Sequence, residues 1–172
     1  MVKDYGLVAT ETAMADHIGA LGLDLEAAGA VSSVYRAANA IRNHLTNTVL
    51  RPHDLSWTGW VVMWVLWIFD GLESRHAAES AGISKGTLTG VVKTLEARGW
   101  VRRRPDADDR RLVHLELTER GVAMMEQLSP QFNAAEARVI ADLDARTTKA
   151  MKSGLRTMVS TVEKLAEQAR ND

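Results

Sequence analysis

The sequence predicts a mainly α-helical chain with one small β-hairpin, and three observations predict it. Apolar residues recur at alternating spacings of three and four over long stretches near both ends, the mark of amphipathic helices. Between those stretches, two short helical segments meet at a tight turn containing Gly82. Directly after them the apolar period switches from helical to two, over two short runs that read as paired strands. A hydrophobic content of 46% lets a chain of 172 residues bury a sizeable core.

Residues 1–24 are weakly periodic, dotted with glycine and acidic, and are expected to form a mobile or loosely docked N-terminal extension. From Val31 the pattern sharpens: Val31, Val34, Ala38, Ile41, Leu45 and Thr48 make one stripe on a long helix, stopped by Arg51-Pro52. A second helix starts after Ser56, a good N-cap, and ends at Gly71. It is apolar all round and is expected to sit centrally. A short helix over Glu73 to Ser80 follows, then a helix capped by Ser84 and closed by Gly99, which together suggest helix-turn-helix. Trp100 to Arg104 and Leu112 to Leu117 read as strands, with the charged tip Pro105 to Arg111 between them as a wing. Thr118 caps a helix from Glu119 that is expected to bend or break near Ser129-Pro130 and to continue through Val139 and Leu143. The last helix, from about Thr147, carries Met151, Leu155, Met158, Val162 and Leu165 as a second seam. The expected organisation is an extension at 1–24, a helical dimerisation region at 25–52 and 119–172, and a winged helix-turn-helix at 53–118.

The formal net charge is −1, so a nucleic-acid surface must be local. Charge is sorted along the chain: residues 84–111 hold eight lysines and arginines against four acids, whereas the first 34 residues hold one lysine against five acids. With no cysteine, disulfides, thiolate metal sites and cysteine redox sensing are excluded. No basic stretch precedes an apolar one at the N-terminus, so export is not expected and a cytoplasmic location is. The most apolar window, Trp57 to Phe69, is shorter than the roughly 20 residues that span a bilayer.

In the helix after Ser84, Leu88, Val91, Val92 and Leu95 share one buried stripe. The opposite face then carries Gly86, Gly90, Lys93 and Ala97, flanked by Thr87 and Thr89, with Lys85 at its start. Each glycine lowers helix stability by about 1 kcal/mol relative to alanine. Close approach to a major groove would supply a reason for them. A solvated face that tolerates poor helix formers would explain them too. Threonines can reach bases or phosphates and lysines suit phosphates. Arg110 and Arg111 project from the hairpin, a geometry that can place a guanidinium in the minor groove, and Asp109 can hold one of them by a bidentate pair. Arg104 leads into the same tip. The two seams come from opposite ends of the chain, and burial against a second copy explains both; packing against each other within one chain is compatible with that.

The runs Ile83-Ser84, Leu95-Glu96-Ala97-Arg98-Gly99-Trp100-Val101-Arg102-Arg103, Asp108-Asp109-Arg110-Arg111-Leu112 and Leu115-Glu116-Leu117-Thr118-Glu119-Arg120-Gly121 resemble the MarR family of bacterial and archaeal regulators. The resemblance covers roughly residues 25–170. It implies a homodimer with interlocked terminal helices, each winged helix reading half of a palindromic operator on double-stranded DNA, most often as a repressor. The family's Asp-Xaa-Arg wing motif falls at Asp109 and Arg111, and with the exposed helix face the candidate DNA-binding set is Ser84, Lys85, Gly86, Thr87, Thr89, Gly90, Lys93, Arg104, Asp109, Arg110 and Arg111. The sequence departs from the family at Gly90, where many relatives carry arginine or another polar side chain.

MarR-like proteins commonly release DNA when a small aromatic or anionic compound binds between the dimer helices and the reading heads. Trp57, Trp60 and Trp64 share one helix face, with His44 and His53 near the junction, and are the candidate pocket wall. A tryptophan stripe at helical spacing also serves a core, and the core reading is favoured. The five histidines show no metal-site spacing, and no cofactor is expected. No phosphate-cradling glycine loop, nucleophile elbow or His-Glu metal motif points to an enzyme. The competing reading is a winged-helix module for protein–protein interaction that has lost DNA binding.

Overall fold

Short polar caps and glycine stops divide the chain into its elements. The structure, a computed structural model, describes residues 6–18, 21–105 and 112–171. Two units follow one another, Met1–Met125 and Glu126–Asp172. Among the described residues no helix is long and apolar enough to cross a membrane.

Helix α1 spans Leu7–Ile18, so half of the extension expected to be mobile or loosely docked is helical. Arg36 Nη1 donates to Thr10 Oγ1 at 2.9 Å, tying α1 to α2. Helix α2 spans Leu25–Leu45 and begins six residues before the sharp part of the apolar pattern. Asp24 starts it, its side chain accepting from the Ala27 amide, which satisfies a first-turn N–H. The helix then widens into a π turn over Thr46–Leu50 and tightens into a 3₁₀ turn over Arg51–His53. Asp54 closes this joint with φ +50°. Ser56 caps α3, Trp57–Ile68, by accepting from the Gly59 amide. A Cβ at Gly59 would lie 2.9 Å from Leu55 Cδ1 and 3.7 Å from Leu95 Cδ2, so the glycine brings α3 close to its neighbours.

The expectation that α3 is buried all round fails at its outer end. Trp60, Val62, Met63, Val65 and Leu66 are buried, but Trp64, Ile68 and Phe69 are 41%, 55% and 58% exposed. Strand β1, Leu72–Glu73, leads directly into α4, Ser74–Ser80. Gly82, at φ +64°, turns the chain, and α5 follows at Lys85–Ala97. Strands β2, Val101–Pro105, and β3, Val113–Leu117, complete an antiparallel sheet of order β1-β3-β2. Leu115 faces both Leu72 and Arg103 across the ladders. The core of this unit gathers Leu45, Leu50, Trp60, Met63, Leu66, Ala78, Leu88, Leu95, Trp100 and Leu115, and no polar or charged residue is buried among the described residues.

Thr118 joins the sheet to α6, Glu119–Val139. Its hydroxyl donates to the Gly99 carbonyl at 2.6 Å and accepts from the Gly121 amide at 3.1 Å. A Cβ on Gly121 would run into the Trp100 carbonyl oxygen. That contact explains why the Leu-Thr-Xaa-Xaa-Gly run ends in glycine. Helix α6 is not broken at Pro130; it stays helical to Val139 and stops short of Leu143. Proline removes the amide that would serve the Glu126 carbonyl and crowds that oxygen, but Glu126 and Pro130 are both exposed, so the carbonyl can tilt outward and bond to water. Helix α7 spans Ala145–Asn171. Asp144 caps it, accepting from the Thr147 amide at 2.6 Å.

Candidate nucleic-acid interface

Helix α5 separates its two faces as its spacing demands. Leu88, Val92 and Leu95 are buried and Val91 is half-buried, while Lys85, Gly86, Thr87, Thr89, Gly90 and Lys93 are exposed. Ser84 sets the start of that face: its Oγ accepts from the Thr87 amide at 3.1 Å and lies 2.9 Å from Thr87 Oγ1. Thr89 donates to the Lys85 carbonyl at 2.9 Å, and Thr94 donates to the Gly90 carbonyl at 3.2 Å. These bonds use the hydroxyl protons and leave oxygen lone pairs turned outward. Thr94 is exposed and was not singled out from the sequence, although its spacing of four from Gly90 marks the same side.

The glycines of this face are not required by the chain. Nothing lies within 4 Å of a Cβ placed on Gly90, and only Ser84 Oγ, at 3.8 Å, comes near one on Gly86. Alanine would fit both positions.

At the base of the hairpin three consecutive arginines share two carboxylates. Arg102 Nε donates to Glu116 Oε1 at 2.7 Å, and Arg103 Nε to Glu96 Oε2 at 3.1 Å, bracing the hairpin against its own strand and against α5. Arg104 stands 3.9 Å from the same Glu116 carboxylate with its side chain 68% exposed. Pairs this exposed contribute little to stability, and Arg104 remains available to another anion. Asp109, Arg110 and Arg111 lie outside the described residues.

Arg98 is a residue that sequence reasoning passed over. It forms the C-cap of α5. From there Nη1 donates to the Asp54 carbonyl at 2.7 Å and Nη2 to the His53 carbonyl at 2.9 Å, while its guanidinium lies 3.8 Å from the centroid of the Trp100 ring. An arginine beside glycine after a helix is a weak sequence signal, because its acceptors are backbone atoms more than forty positions away.

The tryptophans of α3 fall into a gradient. Trp57 is half-buried, Trp60 is buried and Trp64 is 41% exposed. The rings of Trp60 and Trp64 are 5.9 Å apart, and Trp67 meets Trp64 edge-on at 5.8 Å, a spacing suited to aromatic pairs. Trp67 continues the helical face of Trp57, Trp60 and Trp64, so its spacing could have found it. His44 is exposed and His53 half-buried. A separate cleft of about 470 Å³ opens between α4, α5 and the sheet, with Leu88, Val92 and Leu115 among its apolar lining and Lys85, Arg75 and Arg103 among its charged lining.

The MarR family model matches residues 55–113. A Bacillus subtilis protein described as an uncharacterized HTH-type transcriptional regulator, YwaE, is 37% identical over 134 residues, which cover 78% of each chain. Two solved structures share the fold. One is a mutant of MarR from E. coli complexed with operator DNA, at TM-score 0.68 and 22% identity over 74% of this chain and 91% of that one. The other is Bordetella bronchiseptica BpsR, described by the regulation of its DNA binding by 6-hydroxynicotinic acid, at TM-score 0.70 and 23% identity over 76% of this chain and 98% of that one. The extent of the YwaE match, the family match across α3 to β3 and the winged helix-turn-helix itself place the chain in the MarR family, as an HTH-type transcriptional regulator and not an enzyme.

Proposed function

We propose that the protein binds a palindromic operator as a homodimer and represses transcription by occupying it, with α5 lying in the major groove and the wing entering the adjacent minor groove. The observation that carries this reading is the outer face of α5. It presents two lysines, small hydroxyls and two glycines with open space above them. A backbone thus stripped of side chains can approach base edges closely, while Lys85 and Lys93 meet phosphates. Ser84, Gly86, Thr87, Thr89 and Gly90 form the groove-facing surface, and Arg104, Asp109, Arg110 and Arg111 supply the wing. Residues 53–118 are the reading domain; 25–52 and 119–172 are the dimerisation region, with 1–24 preceding them. E. coli MarR, which shares the fold, has been crystallised on operator DNA.

The dimer is supported by α7. Met151, Leu155 and Met158 are 40%, 39% and 36% exposed, and Val162 and Leu165 are 64% and 58% exposed. Five apolar side chains on one stripe of one helix are exposed, and a second copy would cover them. A Leu155→Glu variant is expected to sediment as a monomer. Its operator affinity should fall about a hundredfold or more, because two linked half-sites become one.

Selection of duplexes from random-sequence DNA with the purified chain tests the reading directly: an enriched inverted repeat is expected, and no enrichment would overturn it. An Arg111→Ala variant should bind all duplexes more weakly and flatten the salt dependence by about one unit of slope.

We further propose release by a small aromatic or anionic ligand; the DNA binding of BpsR, of the same fold, is regulated by 6-hydroxynicotinic acid. Two seats suit such a compound. One is the face of Trp57, Trp60 and Trp64 with His44 and His53. The other is the cleft beneath α5, where cations border an apolar lining and an occupant would press on Lys85 and Thr89 of the reading helix. Quenching of tryptophan emission that a Trp64→Leu variant abolishes would favour the first seat. Ligand binding without any change in tryptophan emission, lost in an Arg75→Ala variant, would favour the second.

A further inference from the structure

We infer that Arg98 is a positioning residue for DNA reading: it ties the end of the recognition helix to the joint between α2 and α3, so that the geometry of the joint sets operator affinity. This rests on the DNA-binding reading above. Arg98 is only half-buried and sits at the far end of α5 from Ser84 and Lys85, yet its guanidinium makes two hydrogen bonds and a ring contact on the protein side. It grips two consecutive carbonyls, those of His53 and Asp54, and its central carbon lies over the Trp100 ring. A lysine could reach one carbonyl, but it has neither the planar fork that takes two nor the flat face that stacks.

What Arg98 grips matters as much as how it grips. The joint is irregular: a π turn, a 3₁₀ turn, then Asp54 at φ +50°. Asp54 adopts a left-handed conformation there, and its carbonyl is held by Arg98. The joint carries α2 directly into the N-cap of α3. At the other end of the clamp, Trp100 is buried, and its indole N–H has no hydrogen-bond partner among the described residues. The ring is therefore fixed by packing and by the Arg98 face. Its carbonyl accepts from the Thr118 amide at 3.0 Å, and Val101 begins the wing strand. One side chain thus links three things that DNA reading requires in register: the recognition helix, the root of the wing and the helix leading from α2. Any movement of α2 relative to α3 reaches the reading surface through this clamp.

The test uses the full-length chain, a duplex recovered by selection with the wild type, an unrelated duplex of equal length, and the variants Arg98→Ala and Arg98→Lys. The positioning role predicts about tenfold weaker binding of the selected duplex by Arg98→Ala and a smaller loss by Arg98→Lys. It also predicts unchanged binding of the unrelated duplex, an unchanged salt slope and faster amide exchange at Asp54 and Leu55. A phosphate contact would instead flatten the slope by about one. Should Arg98→Ala fail to fold, the lysine variant decides alone. A lysine variant that binds the selected duplex like the wild type overturns the role, as does a flattened slope or an equal loss on both duplexes. A wild type that retains no duplex is the separate failure of the DNA reading and removes the positioning role with it.

Discussion

The start of α6 and the outer face of α5 both depend on glycine, for opposite physical reasons. At α6, Gly121 is buried beneath the Trp100 carbonyl, and the fold itself excludes a side chain there. On α5, Gly86 and Gly90 face space that the chain leaves empty, so each lowers helix stability without any internal return. The contrast separates a residue that the chain requires from residues whose use lies outside it. It also moves the argument for a DNA-facing surface off composition, since a merely solvated face gives glycine no advantage over alanine.

Substitution at each site tests the contrast, and the largest effect belongs to the packed glycine. Gly121→Ala is expected to cost about 3 kcal/mol, in the range of severe overpacking, because the obstacle is backbone and not a flexible side-chain tip. Thermal or urea unfolding would measure it, and a loss below about 1 kcal/mol would mean that the strand-to-helix corner can move aside. Gly90→Ala should go the other way. The fold is expected to gain about 0.5–1 kcal/mol, the helix-propensity difference, while operator affinity falls as the new methyl group meets the groove. A variant that is more stable and binds DNA as well as the wild type would leave Gly90 as an ordinary tolerated residue.

The same contrast marks what could be read in advance. Ser56, Ser84 and Thr118 are legible because a cap is a local event: one side-chain oxygen meets an amide three residues on. The division of α5 is legible because its buried stripe fixes the opposite face. The two-residue strand β1 has no period to detect, and the 3₁₀ turn and Asp54 carry no apolar signature. Pro130 reads as a break only if its neighbours need the missing amide, and on an exposed helix side they do not. The exposure of Trp64, Ile68 and Phe69 is invisible to a hydropathy pattern that is apolar all round, because no polar residue marks the outer face. Above all, the Arg98 clamp depends on which backbone carbonyls the fold delivers to it.

A smaller effect distinguishes the starts of α5 and α7. Both helices begin with a side chain that accepts from the amide three residues on, at 3.1 Å for Ser84 and 2.6 Å for Asp144. Only one of the two titrates. The hydrogen bonds from the Thr147 amide and hydroxyl hold the Asp144 carboxyl below its ordinary value. With the folded group more acidic than the unfolded one, the cap's contribution is fully present above the usual carboxylate range and is lost as pH falls through the lowered folded value. Acidification is therefore expected to fray the first turn of α7 while the first turn of α5 keeps its protection. Amide exchange at Thr147 and Thr87, corrected for intrinsic rates, measures the two ends side by side. In an Asp144→Asn variant, which caps as well but does not titrate, the difference should vanish. Equal acid sensitivity at Thr87, or its persistence at Thr147 in the asparagine variant, would assign the fraying to general charge repulsion and not to the cap.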